Sequence, residues 1–270
     1  MNRFIKDYKL VITTSTKAIT ITPPLNIEFN AEKSALSYGL NRLNLKVFNL
    51  SEANRNLIVK DKEGNNYIGV ELSVGYVNNM KQVFKGNVSR AYPEKNGTEI
   101  VSVIECMDGL FDVKESFTSA TASTKLQAVE IIVGNMMNTE IGKISRQNTI
   151  YRDKVIMGNS YEELKKLLQP DELMYIEDEK LYIIKENESA ENYVTLISAE
   201  TGLMNTPKRE NKIVELDTRM NPAIKIGGQA KLESIYAPYL NGVYRIDTAR
   251  FVGSYDGDAW DMTIKMRQGA

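Results

Sequence analysis

Apolar and polar side chains alternate with period two through much of the first hundred residues. Leu25, Ile27 and Phe29 alternate with Asn26, Glu28 and Asn30, and Leu43, Leu45 and Val47 alternate with Asn44 and Lys46. In an extended chain that period puts one row of side chains on each face, so these segments read as half-buried strands. Further strands are predicted over 67–76, where Ile68, Val70, Leu72, Val74 and Tyr76 share a face, and over 83–92 and 98–107. Glu94-Lys-Asn-Gly97 supplies the turn between the last two. Pro23 and Pro24 cannot donate within a central ladder, so they mark a sheet edge or a break between 19–22 and 25–29. Ser51 can cap a short helix through Leu57. Short strands on tight turns suggest a barrel or a small sandwich.

After Asp108-Gly109 the period changes. Ser123 or Thr124 can cap a helix in which Leu126, Val129, Val133 and Met136 recur at helical spacing. Ser160-Tyr-Glu-Glu163 has the form of a capping box, and Pro170 stops the helix it starts. Segments 174–176 and 181–184 read as a hairpin, with Glu177, Asp178, Glu179 and Lys180 as a solvated charged tip. From Val194 the period of two returns, with strands over 213–217, 230–234, 243–252 and 260–266. The expected fold is therefore mainly β with an α/β insert. An N-terminal β-barrel-like domain (1–108) and a second one (191–270) flank a small α/β domain (109–190). No fixed short period recurs, which argues against a solenoid.

Composition narrows the chemistry. The chain has no histidine, which removes Ser-His-Asp and Cys-His catalysis and the commonest metal ligand. One cysteine, Cys106, excludes an intrachain disulfide framework and any multi-thiolate metal site, and it reads as a small buried residue of the 100–107 strand. No metal and no cofactor is expected. Lys and Arg number 34 against 35 Asp and Glu, so no net field draws the chain to nucleic acid or to an anionic membrane. The opening Met1-Asn-Arg-Phe-Ile-Lys carries charge where a signal peptide needs an apolar run. No later stretch approaches the length of a bilayer span. The expectation is a soluble chain made in the cytoplasm.

Individual motifs weigh little. Asp256-Gly-Asp258 lacks the further oxygen ligands of a calcium loop and reads as a turn. Ile226-Gly-Gly-Gln-Ala-Lys231 lacks the Gly-Lys-Ser/Thr order of a phosphate loop and turns the chain into the 230–234 strand. Asn-x-Ser/Thr triplets at Asn49, Asn87, Asn96 and Asn187 are loop composition without a secretion signal. Trp260, the only tryptophan, is expected in the core of the second β domain, between the terminal strand and the 243–252 strand. Asp256, Asp258 and Asp261 are the carboxylates on which the competing class, a carboxylate-dependent glycosidase or peptidoglycan-degrading enzyme, would depend.

The C-terminal third carries a series of residues in a particular order. It runs Thr201-Gly202-Leu203, Pro207, Asn221-Pro222, Gly227, then Gly242-Val-Tyr244-Arg-Ile, then Asp258-Ala-Trp260. With the helix and ribbon of 158–184 before it, this order resembles baseplate hub proteins of tailed phages. These include the hubs of Mu-type contractile tails and, more distantly, the hub part of type VI secretion spikes. The first hundred residues match only in pattern, through 47–51 and 67–77. The resemblance implies a non-enzymatic virion protein of the tail baseplate: a homotrimer in which each chain gives two barrel domains to a pseudo-sixfold ring. The implied partners are the hexameric tail tube above, the trimeric central spike below and other baseplate proteins, with DNA passing through without specific binding. Thr201, Gly202, Pro207, Pro222, Gly227, Gly242, Tyr244 and Trp260 are its structural motif positions. Against larger members, a chain this short is expected to carry no appended lysozyme or spike domain. A hexameric distal tail or tube-end protein is the alternative within the same class.

Overall fold

The computed structural model describes residues 5–36, 39–64, 66–145 and 149–268. Met1 to Phe4 of the charged opening lie outside the described residues. The first unit comprises β1 (Lys6–Thr13), β2 (Ala18–Ile21), β3 (Ile27–Ser34), β4 (Arg42–Phe48), α1 (Glu52–Glu63), β5 (Gly69–Tyr76), β6 (Asn79–Asn96) and β7 (Glu99–Met107). Its strands lie in the order β3-β4-β7-β6-β5-β1-β2. The alternation is realised as expected: Leu43, Leu45 and Val47 on β4, and Val70, Leu72 and Val74 on β5, are buried, with their neighbours turned outward. Gly97, at φ 61, starts the turn from β6 to β7. α1 starts after Ser51, yet the Ser51 hydroxyl makes no capping hydrogen bond, and the helix continues past Leu57 to Glu63.

The middle unit comprises α2 (Leu110–Glu115), β8 (Phe117–Thr124), α3 (Lys125–Gly134), β9 (Glu140–Ile144), β10 (Ile150–Asn159), α4 (Ser160–Lys165), β11 (Glu172–Glu177) and β12 (Lys180–Lys185). Thr124 caps α3, its hydroxyl accepting from the Gln127 amide at 3.2 Å. Val129 and Val133 face the core with Ala128 and Ile132, whereas Leu126 is exposed. The expected capping box at α4 is not formed. Asn159 is the cap, its side chain accepting from the Glu162 amide at 3.1 Å. Ser160 lies within the helix and its hydroxyl pairs at 2.8 Å with that of Thr118 on β8, while Glu163 pairs with Lys166 at 2.6 Å. The helix ends at Lys165, well before Pro170. The side chains of this unit form an apolar core of their own, with Val129, Ile132, Ile156, Leu164 and Ile183 at its centre.

The third unit comprises β13 (Val194–Ser198), β14 (Lys208–Glu210), β15 (Ile213–Arg219), β16 (Gln229–Glu233), β17 (Gly242–Ser254) and β18 (Trp260–Gln268). Its strands run β14-β15-β18-β17, with β16 on β17 and β13 parallel on β16. β17 also pairs with β3, from Thr248 opposite Ser34 to Ser254 opposite Glu28. The first and third units therefore share one 13-stranded sheet. The fold is mainly β with an α/β insert. Among the described residues neither β unit closes into a barrel, because the pairing runs on from one unit into the other.

Trp260 is buried, at 3% exposure, but not within the second β unit alone. Its ring stands edge-on to Phe29 of β3, with centroids 5.4 Å apart, and its indole N–H donates to the Gly75 carbonyl at 3.0 Å. The indole thus sits where β18, β3 and β5 meet. β18 lies beside β17, and β17 is itself the seam strand, so its starting residue points into the joint between units. Gly253 leaves room there, since a Cβ at that position would meet the Phe29 ring at 2.3 Å.

Candidate functional site

A solvated tip is not what the β11–β12 hairpin carries. Asp178 and Glu179 have positive φ, 55° and 61°, giving a two-residue turn whose twist suits the paired strands. That turn drives Glu177, Asp178 and Glu179 into the joint between the first and third units. Glu177 is 4% and Glu179 5% exposed. Carboxylates pay heavily for desolvation unless they find cations and donors, and these three do. Lys33 of β3 donates to Glu177 at 3.1 Å and to Asp178 at 3.0 Å. Lys225, from the segment before β16, pairs with Asp178 and donates to the Gln82 carbonyl at 3.1 Å. Lys85 of β6 pairs with Glu179 at 2.8 Å, and the Tyr67 hydroxyl donates to Glu179 at 2.9 Å.

The turn's backbone is held as well. Asp108, fully buried, accepts the Asp178 amide on one carboxylate oxygen and the Glu179 amide, at 2.9 Å, on the other. Asn41 donates to the Ile176 carbonyl at 2.7 Å and accepts from the Ser34 amide at 3.0 Å. One hairpin tip thereby ties the middle unit to β3, β6 and the β16 approach. The electrostatics are those of a cluster of mixed charge that is buried at Lys33 and Glu177 and reaches solvent at Lys85 and Lys225. Burial lowers the Lys33 ammonium, but Asp178, Glu177 and Asp108 outweigh it and hold Lys33 above the usual lysine range. Burial raises Asp178, but Lys33 and Lys225 bring it down to about 2. Burial raises Glu177 against the pull of the same two lysines. Asp108 is pushed up to about 8 by burial and by Asp178, against Lys33 and the two amides.

Lys33 was legible in one respect. On β3 the inward row is Ile27, Phe29, Ala31 and Lys33, so a lysine stands on an apolar face and demands a buried anion. Asp108, Lys85, Lys225 and Asn41 carry no such signal.

The motif positions of the third unit are spread over its turns and strand ends and do not form one cluster. Gly202, at φ 112, offers its carbonyl to the Arg219 amide at 2.9 Å and the Thr218 hydroxyl at 3.0 Å, fixing its loop to β15. The Thr201 hydroxyl donates to the Leu196 carbonyl at 3.0 Å. Pro207 and Pro222 are buried, and Gly242 begins β17. The Tyr244 hydroxyl donates to the Leu240 carbonyl at 2.6 Å. Gly227, at φ 70, lies against β11: a Cβ there would stand 2.0 Å from the Tyr175 hydroxyl. It lets the β16 approach close on the middle unit. Asp256 and Asp258 are exposed on the turn between β17 and β18, and Asp261 lies opposite Arg219 on β18. Among the described residues no group of three or more His, Cys, Asp or Glu could hold a metal ion.

The family model described as baseplate hub gp41 matches residues 8–260. No curated protein matches the chain in sequence. Solved structures match in fold. The 43 kDa tail protein of prophage MuSo2 from Shewanella oneidensis superposes with a TM-score of 0.66 at 11% identity, over 97% of both chains. The tail protein from Neisseria meningitidis MC58 gives 0.65 at 9%, over 97% of this chain and 96% of that one. The c3393 protein of E. coli is a type VI secretion component with structural similarity to the T4 bacteriophage tail proteins gp27 and gp5. It gives 0.62 at 8%, over 92% of this chain and 74% of its own. At such identities the likeness is one of fold.

Proposed function

The chain belongs to the baseplate hub gp41 family, and from that premise we propose that three copies form a ring of six β units at the centre of a phage tail baseplate. The ring joins the hexameric tail tube on one side to the trimeric central spike on the other, contacts other baseplate proteins, and leaves a passage for DNA. The chain is made in the host cytoplasm and ends in the virion tail. Its domains are the N-terminal β domain 1–108, the α/β domain 109–190 and the second β domain 191–270.

The observation that carries this reading is the β3–β17 seam. Two β units joined edge to edge in one sheet make two successive segments of an arc, so that three chains supply six segments. The hairpin tip is a brace that keeps the two segments at one angle, because its buried ions, Lys33 with Glu177 and Asp178, tolerate little movement once paired. A near-neutral chain does not hold the polyanion that passes it, since phosphate binding scales with the cations offered. The family is a structural one, and the reading assigns no catalytic step. Two segments in each chain also favour three copies over six, against the distal tail or tube-end alternative. Light scattering on the purified protein, alone and with its spike partner, tests the ring. A strictly monomeric species in both samples contradicts it.

A further inference from the structure

The first and third units repeat one strand plan. β3-β4-β7-β6 and β14-β15-β18-β17 lie in the same order. Each long strand, β6 and β17, carries a bulge against its hairpin partner, between Val88 and Arg90 in one and between Ile246 and Thr248 in the other. Before the bulge, β6 pairs with β5 and β17 pairs with β16. The registers agree across the sheet: Val88, Cys106 and Leu43 stand in line as Ile246, Met266 and Val214 do. A bulge marks a fixed position in a ladder, so the two units can be aligned residue by residue.

Aligned in this way, the two units differ in one respect. Beyond its bulge β17 has β3 on its free side, whereas residues 90–96 of β6 have no strand there among the described residues. β14, the counterpart of β3, has β15 as its one partner strand. Each chain therefore holds one filled seam and the two separated halves of another. We propose that the second seam forms between copies of this chain. Residues 92–96 of one copy pair antiparallel with residues 206–210 of the next, in the register that β17 takes on β3, up to the β14–β15 turn at Asn211 and Lys212. This rests on the ring reading and names the surface that closes it.

The register follows from the pairs. Phe251 stands opposite Ala31 in the filled seam. Pro93 is the counterpart of Phe251 by its distance from the bulge, and Arg209 is the counterpart of Ala31 because each lies opposite its strand's matched residue, Val214 and Leu43. Pro93 then faces Arg209, Glu94 faces Lys208, and Tyr92 faces Glu210. Glu94 and Lys208 are both exposed and bring opposite charges directly across the ladder. The filled seam already carries such a pair, Arg250 with Glu32 at 3.6 Å. Pro93 and Pro207 lack amide donors, which keeps either edge from pairing at an arbitrary register before assembly. The contact is head to tail, so every copy keeps one unused half at each end until the ring closes.

Directly opposed strand residues are close enough for a disulfide, which supplies the test. The full chain carrying Glu94→Cys and Lys208→Cys is oxidised and run on a non-reducing gel beside each single variant. The buried Cys106 is left in place. Covalent trimers are expected from the double variant alone, and much less from Glu94→Cys with Lys212→Cys, four residues out of register. A charge swap gives an independent readout: Glu94→Lys weakens trimer formation several-fold, and adding Lys208→Glu restores it. Trimers by light scattering, with no in-register cross-link and no rescue, overturn this seam and leave the ring standing. Monomers at every concentration overturn both.

Discussion

Trp260 offers the sharpest probe of how the two β units are joined. Replacing it with Ala removes an indole at 3% exposure that touches Phe29 and donates to the Gly75 carbonyl. Large-to-small changes of this kind cost about 3–5 kcal/mol through lost transfer energy and the cavity left behind. The orphaned Gly75 carbonyl adds about 1 kcal/mol. The edge-on pairing with Phe29 contributes about 0.5–1.5 kcal/mol of the total as direct coupling. Because Trp260 is the only tryptophan, unfolding in urea is followed by far-ultraviolet circular dichroism and not by fluorescence. The midpoint should fall for Trp260→Ala. In a double-mutant cycle Phe29→Leu should then cost less in the Trp260→Ala background than in the wild type. A cost below about 1 kcal/mol, or strict additivity with Phe29→Leu, refutes the placement at the joint. Unchanged melting together with lost ring formation identifies Trp260 as a contact to another subunit.

The buried tip and the α4 cap yield the other predictions. Lys33→Met leaves Glu177 without its cation and should lower stability by about 3–5 kcal/mol, as breaking a buried pair does; an unchanged urea midpoint contradicts the brace. Asp178 is held at about 2, so its contribution is fully present above the unfolded value near 4 and is lost as pH falls toward 2. Asp108 is raised to about 8, so its contribution is greatest below pH 4 and is lost as pH rises toward 8. Urea midpoints taken from pH 5 to 9 should therefore decline and then level above 8, and Asp108→Ala should lower the curve and flatten that slope to the part Glu177, also raised by burial, contributes. Asn159→Ala should cost about 1 kcal/mol as the loss of a helix cap, read from the same melts; no loss would return the capping role to Ser160.

The strands were readable because most of them are half buried. Leu43, Leu45 and Val47 show on β4 the alternation that a sheet with one wet face imposes. β8 was not readable, since Thr118, Ser119, Ala120, Thr121 and Ala122 are too small and too mixed to show a face. Polarity placed the 177–180 tip in solvent because sequence does not reveal that Lys33, far earlier in the chain, waits for it. Asn159 and Ser160 are both capping residue types, and the choice between them is made by Thr118 on a different element. Trp260 was legible as buried, whereas its neighbours Phe29 and Gly75 belong to the other β unit and depend on the β3–β17 pairing. The repeat of strand order between the two units leaves no visible trace in the residues, because bulges and registers are properties of pairs.

The central claim is that one chain supplies two of the six segments of a ring. Counting copies in images of the intact baseplate tests it most directly. The account predicts three chains around the tail axis, six β units in the ring, and continuous sheet across alternating seams. Six copies of the chain around the axis, or a single copy beside it, would contradict the account.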